Sequence, residues 1–511
     1  MPTRRSFLTS AGGLAVAAAV GTASAGTLAS AASDGPSDAS WARLADVLGG
    51  ELVRPADSGY GSAKTVYLGE FSAVDPQAVA YCRTPGDVRA CLEFAHRQGI
   101  ELRTRSGGHN LAGWSTGEGL VVDVSAFDQV RAGERTVHLG PGAMSIDALT
   151  ALEPQHLQIV TGTCPTVRPG GFLSGGGIGH QTRKFGTGSD RLVSARVLLA
   201  DGRLVTASET SEPELFWALR GGGGGNFGIV LDFEVVPVDQ PGGVYFDTEW
   251  PWDKAQEVIE AWQRWSVASP HDLGSALLVA LPDAAPGSTP SALLTGAYWG
   301  DRAELVAGLA ELASQAGTRP VRQEVSELAY GDVMRRIYGC GQITIRECHL
   351  TGQNPDGQLP RNGLLRERTR IFDRPVTGSV LADALASYDA DRRAGQTRLL
   401  SFTATGGRAN ETSRTATAYW HRTAQFMTGF AAMTQNPAPP EDEEADMTAW
   451  VDRGFGILEQ VSAKEAYVNF PDPRLGDWQR AYYGDNYARL LTVKHAYDPG
   501  DVFRHPQSIG S

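Results

Sequence analysis

Arg105-Ser106-Gly107-Gly108-His109-Asn110, answered downstream by Gly162-Thr163-Cys164-Pro165 and Gly170-Gly171-Phe172-Leu173-Ser174-Gly175-Gly176-Gly177, decides how this chain is read. Glycine lets backbone N–H groups approach a ligand that a Cβ would hold off, and runs of such groups form concavities that favour an anion such as a pyrophosphate. A third run, Gly221 to Gly225, repeats the signal. A thiol in a glycine-rich loop is set among N–H groups that stabilise a thiolate, so Cys164 is a nucleophile candidate toward an electron-poor ring. By residue type alone a histidine is more often a hydrogen-bonded loop residue than a covalent anchor. The glycine setting of His109 and the matching cysteine segment reverse that preference and point to a redox cofactor held by two bonds.

Working outward, other chemistries fall away. Gly223-Gly224-Gly225-Asn226-Phe227-Gly228 has the dinucleotide spacing G-x-G-x-x-G, but an apolar run reading as a strand follows it where that fingerprint needs a helix. Gly113-Trp114-Ser115-Thr116-Gly117 has the spacing of a hydrolase elbow, yet it too leads into a strand, at residues 120–124. No C-x-x-C or H-E-x-x-H occurs and the ten histidines are scattered, so no metal site is expected. A formal net charge of −13 without a basic stripe argues against a nucleic-acid partner. With five cysteines, at least one lacks an intrachain partner. Cys164 is the candidate for that exception, Cys91 shares an apolar helical face with Val88, Leu92 and Ala95, and the state of Cys340 and Cys348 is left open.

At 511 residues the chain is expected to form more than one domain. Residues 1–31 read as a twin-arginine export signal: Thr3-Arg4-Arg5-Ser6-Phe7-Leu8, a short apolar stretch at 14–20, and small residues at Ala29-Ser30-Ala31. That implies an exported protein, and no segment approaches the roughly 20 apolar residues of a membrane span. The pattern then predicts a strand at 78–83, a helix opened by Thr84-Pro85 and ended near Gly99, and a strand at 101–104. The alternation runs on to a strand at 228–236, closing a mixed α/β unit near residue 239. From Tyr245 a second, α+β unit begins, with strands at 276–281 and 292–298 and a helix at 301–316. Residues 437–444, proline-broken and acidic, read as a solvated loop, and the last segment is expected to pack onto an earlier domain.

These motifs resemble the berberine-bridge-enzyme-like group of FAD-linked oxidases, within the vanillyl-alcohol-oxidase type of fold. Besides the two anchor segments, Trp217 through Val230 resembles the family's later FAD-binding strand. Tyr467-Val468-Asn469-Phe470-Pro471-Asp472 and the tail from Tyr482 to His505 are similarly familiar. The resemblance implies an α+β fold: a PCMH-type FAD-binding domain at 70–239 and an inserted substrate domain at 240–455, an antiparallel sheet covered by helices. Residues 456–511 then return to the FAD domain. It implies FAD bound through its 8α-methyl to His109 and through ring carbon 6 to Cys164. Arg105, Ser106, Gly107, Gly108, Asn110, Val167, Gly170, Gly171, Gly175, Gly176, Gly177, Gly228, Ile229 and Asn469 would contact the cofactor. Arg168-Pro169 stands where the family commonly has a small Gly-Val pair, which is expected to reshape the loop beneath the flavin.

The implied reaction is oxidation of a hydroxyl of a bulky secondary metabolite or sugar to a carbonyl, with O2 reduced to H2O2. Val167 occupies the position where oxygen-reactive members often carry valine. Tyr467 would be the base or orient it. A free tyrosine, with a pKa of about 10, needs a positive or hydrogen-bonding neighbourhood for that task. Asn469, two residues on, is expected on the same face of a strand. Residues 415–422 resemble the strand lining the substrate cavity, which makes Tyr419 and His421 second candidates. The alternatives are a dehydrogenase passing electrons to another acceptor and a non-catalytic FAD-binding protein.

Overall fold

The protein is described here over residues 35–511 of a computed structural model; the expected export signal lies outside the described residues. The helix Pro85–Gln98 forms where the sequence writes both of its ends: Thr84 and Asp87 make a reciprocal capping box, and Gly99 closes it in the left-handed conformation at φ 63°. Its apolar face, with Val88, Cys91, Leu92 and Phe94, packs on a four-stranded sheet. The strand order is Glu51–Val53, Ala78–Tyr81, Leu120–Asp123, Leu102–Arg105. The last three run parallel, and Leu120–Asp123 is buried throughout, as a parallel strand covered on both faces must be.

Arg105 and Asp123 are partners in the register of the adjacent strands. Their side chains close a buried ion pair at 2.5 Å at the carboxyl ends of those strands. The loop from Ser106 to Asn110 therefore leaves from a fixed point, at the edge where open α/β sheets receive ligands.

A five-stranded antiparallel sheet follows, in the order Val130–Ala132, Val137–Leu139, Ile229–Val235, Leu192–Leu198, Leu204–Ser208. Ile229 and Leu231 pack into the core beneath the first sheet, while Phe233 and Val235 join a second core with Trp217, Tyr482 and Tyr483. The chain's C-terminal part thus returns to the N-terminal half. Lys494 ties it down: its buried Nζ donates to Asp498 at 2.6 Å, to the Asn226 carbonyl at 3.0 Å and to the Phe503 carbonyl at 2.6 Å.

The seven-stranded sheet is antiparallel throughout, in the order Arg322–Ala329, Gly242–Trp250, Ser291–Tyr298, Leu273–Leu281, Thr397–Ala404, Phe426–Thr434, Leu364–Phe372. The helices Ala255–Ala268, Arg302–Ala316, Gly378–Asp389 and Glu441–Glu459 cover one face, enclosing a core built around Trp262, Phe402, Phe430 and Trp450. One sequence expectation is corrected here. Residues 437–444 are not wholly a loop, because Glu441 to Glu444 form the first turn of the last of these helices. Four acidic side chains at a helix N-terminus complement its dipole, so the charge run that reads as a linker is also a helix start.

Cys340 and Cys348 are joined in a disulfide, while Cys82, Cys91 and Cys164 are free. Replacing Lys494 by Met removes one partner of a buried ion pair. It is expected to destabilise the protein by about 3–5 kcal/mol, read from the midpoint of urea unfolding.

Candidate active site

The three sheets converge on a cavity of about 450 Å³. The loop 105–110, residues 162–164, 167–168 and 170–171, the glycine run 223–225 and tail residues 503–505 line one side; the seven-stranded sheet and residues 467–470 line the other.

His109 and Cys164 face this cavity together, and one hydroxyl lies between them. Thr166 Oγ1 is 2.8 Å from His109 Nε2 and 3.7 Å from Cys164 Sγ. With Nε2 engaged, Nδ1 is the ring nitrogen without a partner among the described residues. Tyr67 stacks on the imidazole at 4.3 Å, with 23° between the planes. Burial, reinforced by the Arg168 and Arg361 guanidinium groups, pulls the His109 pKa down to about 3, so the ring is neutral and its free nitrogen nucleophilic. Cys164 departs from expectation. The Thr166 and Val167 hydrogen bonds do favour its thiolate, but burial outweighs them and the pKa is raised, so the resting group is a thiol.

The loop 105–110 is a set of donors without acceptors. Among the described residues, the N–H groups of Gly107, Gly108, His109 and Asn110 make no backbone hydrogen bond. Arg105 donates Nε to Asp123 and Nη2 to the Ala63 carbonyl, leaving Nη1 buried and unpartnered. Arg168 donates Nη1 to the Ser106 carbonyl at 2.6 Å, and its Nε is likewise unpartnered, as are Arg103 Nε and His505 Nδ1. Arg168 therefore clasps the His109 and Cys164 loops together, which is the physical meaning of the Arg168-Pro169 departure. Buried donors of this number call for an anionic acceptor, and the pyrophosphate of a dinucleotide supplies one. Ser106, Val167, Gly170, Gly171, Gly228 and Ile229 also line the cavity, and the space above Gly171 is open.

Gly175, Gly176 and Gly177 do not line it. Their lack of side chains makes room for protein rather than cofactor. A Cβ on Gly175 would collide with the Asn469 amide, and one on Gly176, at φ 113°, would meet the Tyr419 ring at 2.6 Å. The result is a hydrogen-bonded Tyr467: its Oη accepts from the Gly177 N–H at 2.9 Å and from Asn469 Nδ2 at 2.9 Å. These donors favour the phenolate, but burial dominates and raises the pKa, so Tyr467 rests as a phenol. Tyr467 and Asn469 do meet, though in a turn rather than on a strand.

Residues 415–422 are not a strand either, and Tyr419 and His421 lie behind the wall. Tyr419 packs edge-on to Tyr467, with centroids 6.2 Å apart. His421 is bound to Glu465 at 2.8 Å, where Arg414 and Trp420 also converge. That cluster braces the Tyr467 loop and offers nothing to a substrate.

Sequence reasoning missed Tyr67, Thr166 and Glu367. Tyr67 precedes the domain boundary drawn at residue 70. Thr166 sits in Cys164-Pro165-Thr166-Val167 with no spacing signal. Glu367 was detectable as the one acid among alternating arginines in Arg366-Glu367-Arg368-Thr369-Arg370.

Comparison with known proteins accords with this geometry. Residues 76–208 match the FAD binding domain family, and residues 466–510 match the berberine and berberine like family. The chain is a berberine-bridge-enzyme-like FAD-linked oxidoreductase. It is 28% identical to the FAD-linked oxidoreductase YgaK of Bacillus subtilis over 90% of this chain and 97% of that one. It is 27% identical to the glucooligosaccharide oxidase of Sarocladium strictum over 85% and 87%. Among solved structures, wild-type Physcomitrella patens BBE-like 1 superposes with a TM-score of 0.81 at 22% identity, covering 92% of this chain and 98% of that one. A glucooligosaccharide oxidase from Acremonium strictum, described as carrying a 6-S-cysteinyl, 8α-N1-histidyl FAD, superposes with a TM-score of 0.77 at 24% identity, covering 92% and 98%. These superpositions establish the PCMH-type fold of this berberine-bridge-enzyme-like protein.

If the Thr166 hydroxyl orients the imidazole, Thr166→Val, nearly the same in shape, will leave the fold intact. The fraction of protein carrying flavin on the His109 peptide is then expected to fall, as read by peptide mass spectrometry.

Proposed function

We propose that this chain holds FAD through His109 Nδ1 and Cys164 Sγ and oxidises a hydroxyl of a bulky substrate to a carbonyl, with O2 as final acceptor and H2O2 as product. The observation that carries this reading is the Thr166 hydroxyl in reach of both anchors. It leaves Nδ1, the nitrogen named N1-histidyl in the Acremonium enzyme's cofactor, as the ring nitrogen free to react. Bound FAD supplies the two-electron acceptor. The chain's own residues orient and move the proton. Tyr467 Oη, already accepting two N–H donors, presents its own O–H to the cavity and aligns the substrate oxygen, while the donors stabilise negative charge that develops on either oxygen. Two covalent tethers suit a flavin in an open groove, because the bonds replace the buried contacts that otherwise retain it. The twin-arginine pattern at residues 3–8 supports export of the folded, loaded protein.

Peptide mass spectrometry of the denatured yellow protein is expected to recover the His109 and Cys164 peptides on one flavin. Cys164→Ala should leave flavin on the His109 peptide alone, and flavin released freely from the wild-type protein would overturn the reading. Tyr467→Phe is expected to lower kcat by about 10²-fold or more with flavin content unchanged. Flavin bleached by substrate should regain its colour in air with release of peroxide; enzyme that stays bleached would instead be a dehydrogenase.

A further inference from the structure

The stretch Val66-Tyr67-Leu68-Gly69-Glu70 carries no motif, yet it is fastened on both of its sides. Toward the His109 loop, the Tyr67 N–H donates to the Gly108 carbonyl at 3.0 Å. Gly108 itself stands at φ 70° against Val66, whose side chain a Cβ there would meet at 3.2 Å. Toward the seven-stranded sheet, the Gly69 N–H donates to the Asn362 carbonyl at 2.9 Å and the Glu70 N–H to the Gly363 carbonyl at 2.8 Å, with Leu68 and Asn362 bridged in parallel. Side chains repeat the tie. Arg361 Nη1 donates to the Val66 carbonyl at 2.9 Å, and Asn362 Nδ2 donates to Tyr67 Oη at 3.2 Å. The Glu70 carboxylate accepts from the Leu365 N–H at 3.1 Å and from Arg366 Nη1 at 2.8 Å. These residues form a strap between the loop that carries His109 and the start of the edge strand Leu364–Phe372.

What the strap delivers is the Tyr67 ring, stacked on the imidazole of His109. The outer torsion of a histidine is soft, so the single hydrogen bond between Nε2 and Thr166 leaves the ring free to swing about that contact. A near-parallel ring over its face removes this freedom while leaving the in-plane edge at Nδ1 uncovered. The hydrogen bond fixes a point of the imidazole and the stack fixes its plane. Orientation of this kind matters because a lone pair forms a bond efficiently only when it is aligned with the atom it attacks.

We infer that Tyr67 is a positioning residue for the bond between His109 and the flavin, and that the strap makes this bond depend on docking of the seven-stranded sheet. The inference rests on the bicovalent reading above. In the attachment, one C–H bond of the 8α-methyl and one N–H bond of the imidazole break and one C–N bond forms. The two electrons and two protons released pass to the flavin ring and on to O2, which leaves as H2O2. Tyr67 exchanges neither electron nor proton; it sets the angle at which Nδ1 is presented. Until the sheet closes on the loop, the strap has one side unfastened and the Tyr67 ring has no fixed plane. Cys164 is held separately. The Pro165 and Val167 carbonyls accept from the Ile146 and Ser145 N–H groups, and among the described residues no backbone hydrogen bond joins residues 162–167 to the strap. The two attachments therefore respond differently to a change in the strap.

The test follows the full-length protein sampled at intervals after induction, with flavin scored separately on the His109 and Cys164 peptides by mass spectrometry and folding checked by circular dichroism. The wild type is expected to load both peptides. Tyr67→Phe keeps the stack and should load His109 at the wild-type rate. Tyr67→Leu and Tyr67→Met remove the ring by two routes, so that a failure of one to fold does not decide the matter. Each should slow loading of His109 by about 10-fold or more while Cys164 loads normally. Glu70→Ala touches neither attachment residue and should slow His109 loading with the same selectivity. Wild-type loading of His109 in the folded leucine or methionine variant, or equal slowing at both peptides, would overturn the positioning role. Slowing in Tyr67→Phe as large as in Tyr67→Leu would assign the effect to the hydroxyl and overturn it as well. Wild-type loading in Glu70→Ala would overturn the dependence on the sheet. Flavin absent from His109 in the wild type would instead sink the bicovalent reading itself.

Discussion

Hydrogen-bond donors that fold into a protein interior must find acceptors, and here a set of them is reserved for a ligand. The set depends on the Arg105–Asp123 pair. Strand register puts these two residues side by side at the carboxyl ends of parallel strands, and their ion pair fixes where the loop 106–110 departs. Arg168 then clasps that loop to the second anchor segment. What remains over is Arg105 Nη1 and Arg168 Nε, buried without partners, and the loop N–H groups that make no backbone hydrogen bond, all on residues that line one cavity. An anionic cofactor is therefore part of the stability of this region as well as of its chemistry.

Glycine serves two purposes in the same site, and the sequence does not distinguish them. Gly107, Gly108, Gly170 and Gly171 line the cavity, and the space above Gly171 is open, while a Cβ on Gly107, Gly108 or Gly170 would meet Arg168, Val66 or Ser106. Gly175, Gly176 and Gly177 are just as glycine-rich, yet they are filled by Asn469, Tyr419 and Phe172. The second group acts at one remove, since the close approach it allows is what delivers the Gly177 N–H and the Asn469 amide to Tyr467.

What the sequence made legible were features whose cause is local. Thr84-Pro85 and Gly99 bound a helix because capping is a matter of a few adjacent residues. The strand after Gly228 was readable because apolar continuity is visible in one dimension. The placing of His109 and Cys164 on one cavity was legible through their glycine setting and their resemblance to known motifs. The failures are tertiary. Residues 415–422 and 467–469 carry strand-like composition, but packing against the glycine run and around Glu465 bends both into turns. Tyr67 and Thr166 reach His109 from distant or unremarkable stretches, and only the fold brings them there.

The edge strand Leu364–Phe372 closes the seven-stranded sheet over the cavity. Its odd and even positions face different worlds. Arg366, Arg368 and Arg370 pair with Glu444, Asp452 and Glu459 along a single helix, while Leu365 and Glu367 face the cavity. A slip of one residue would put arginines into an apolar ceiling and leave the helix acids without partners, so the ion-pair ladder holds the register against that alternative. Arg368 also holds Asp472, close after Tyr467 in the chain, at 2.7 Å. The ladder that keeps Glu367 aimed inward therefore also anchors the turn that presents Tyr467. The relative placement of Glu367 and Tyr467 follows from charge pairing on the face of the strand turned away from the cavity.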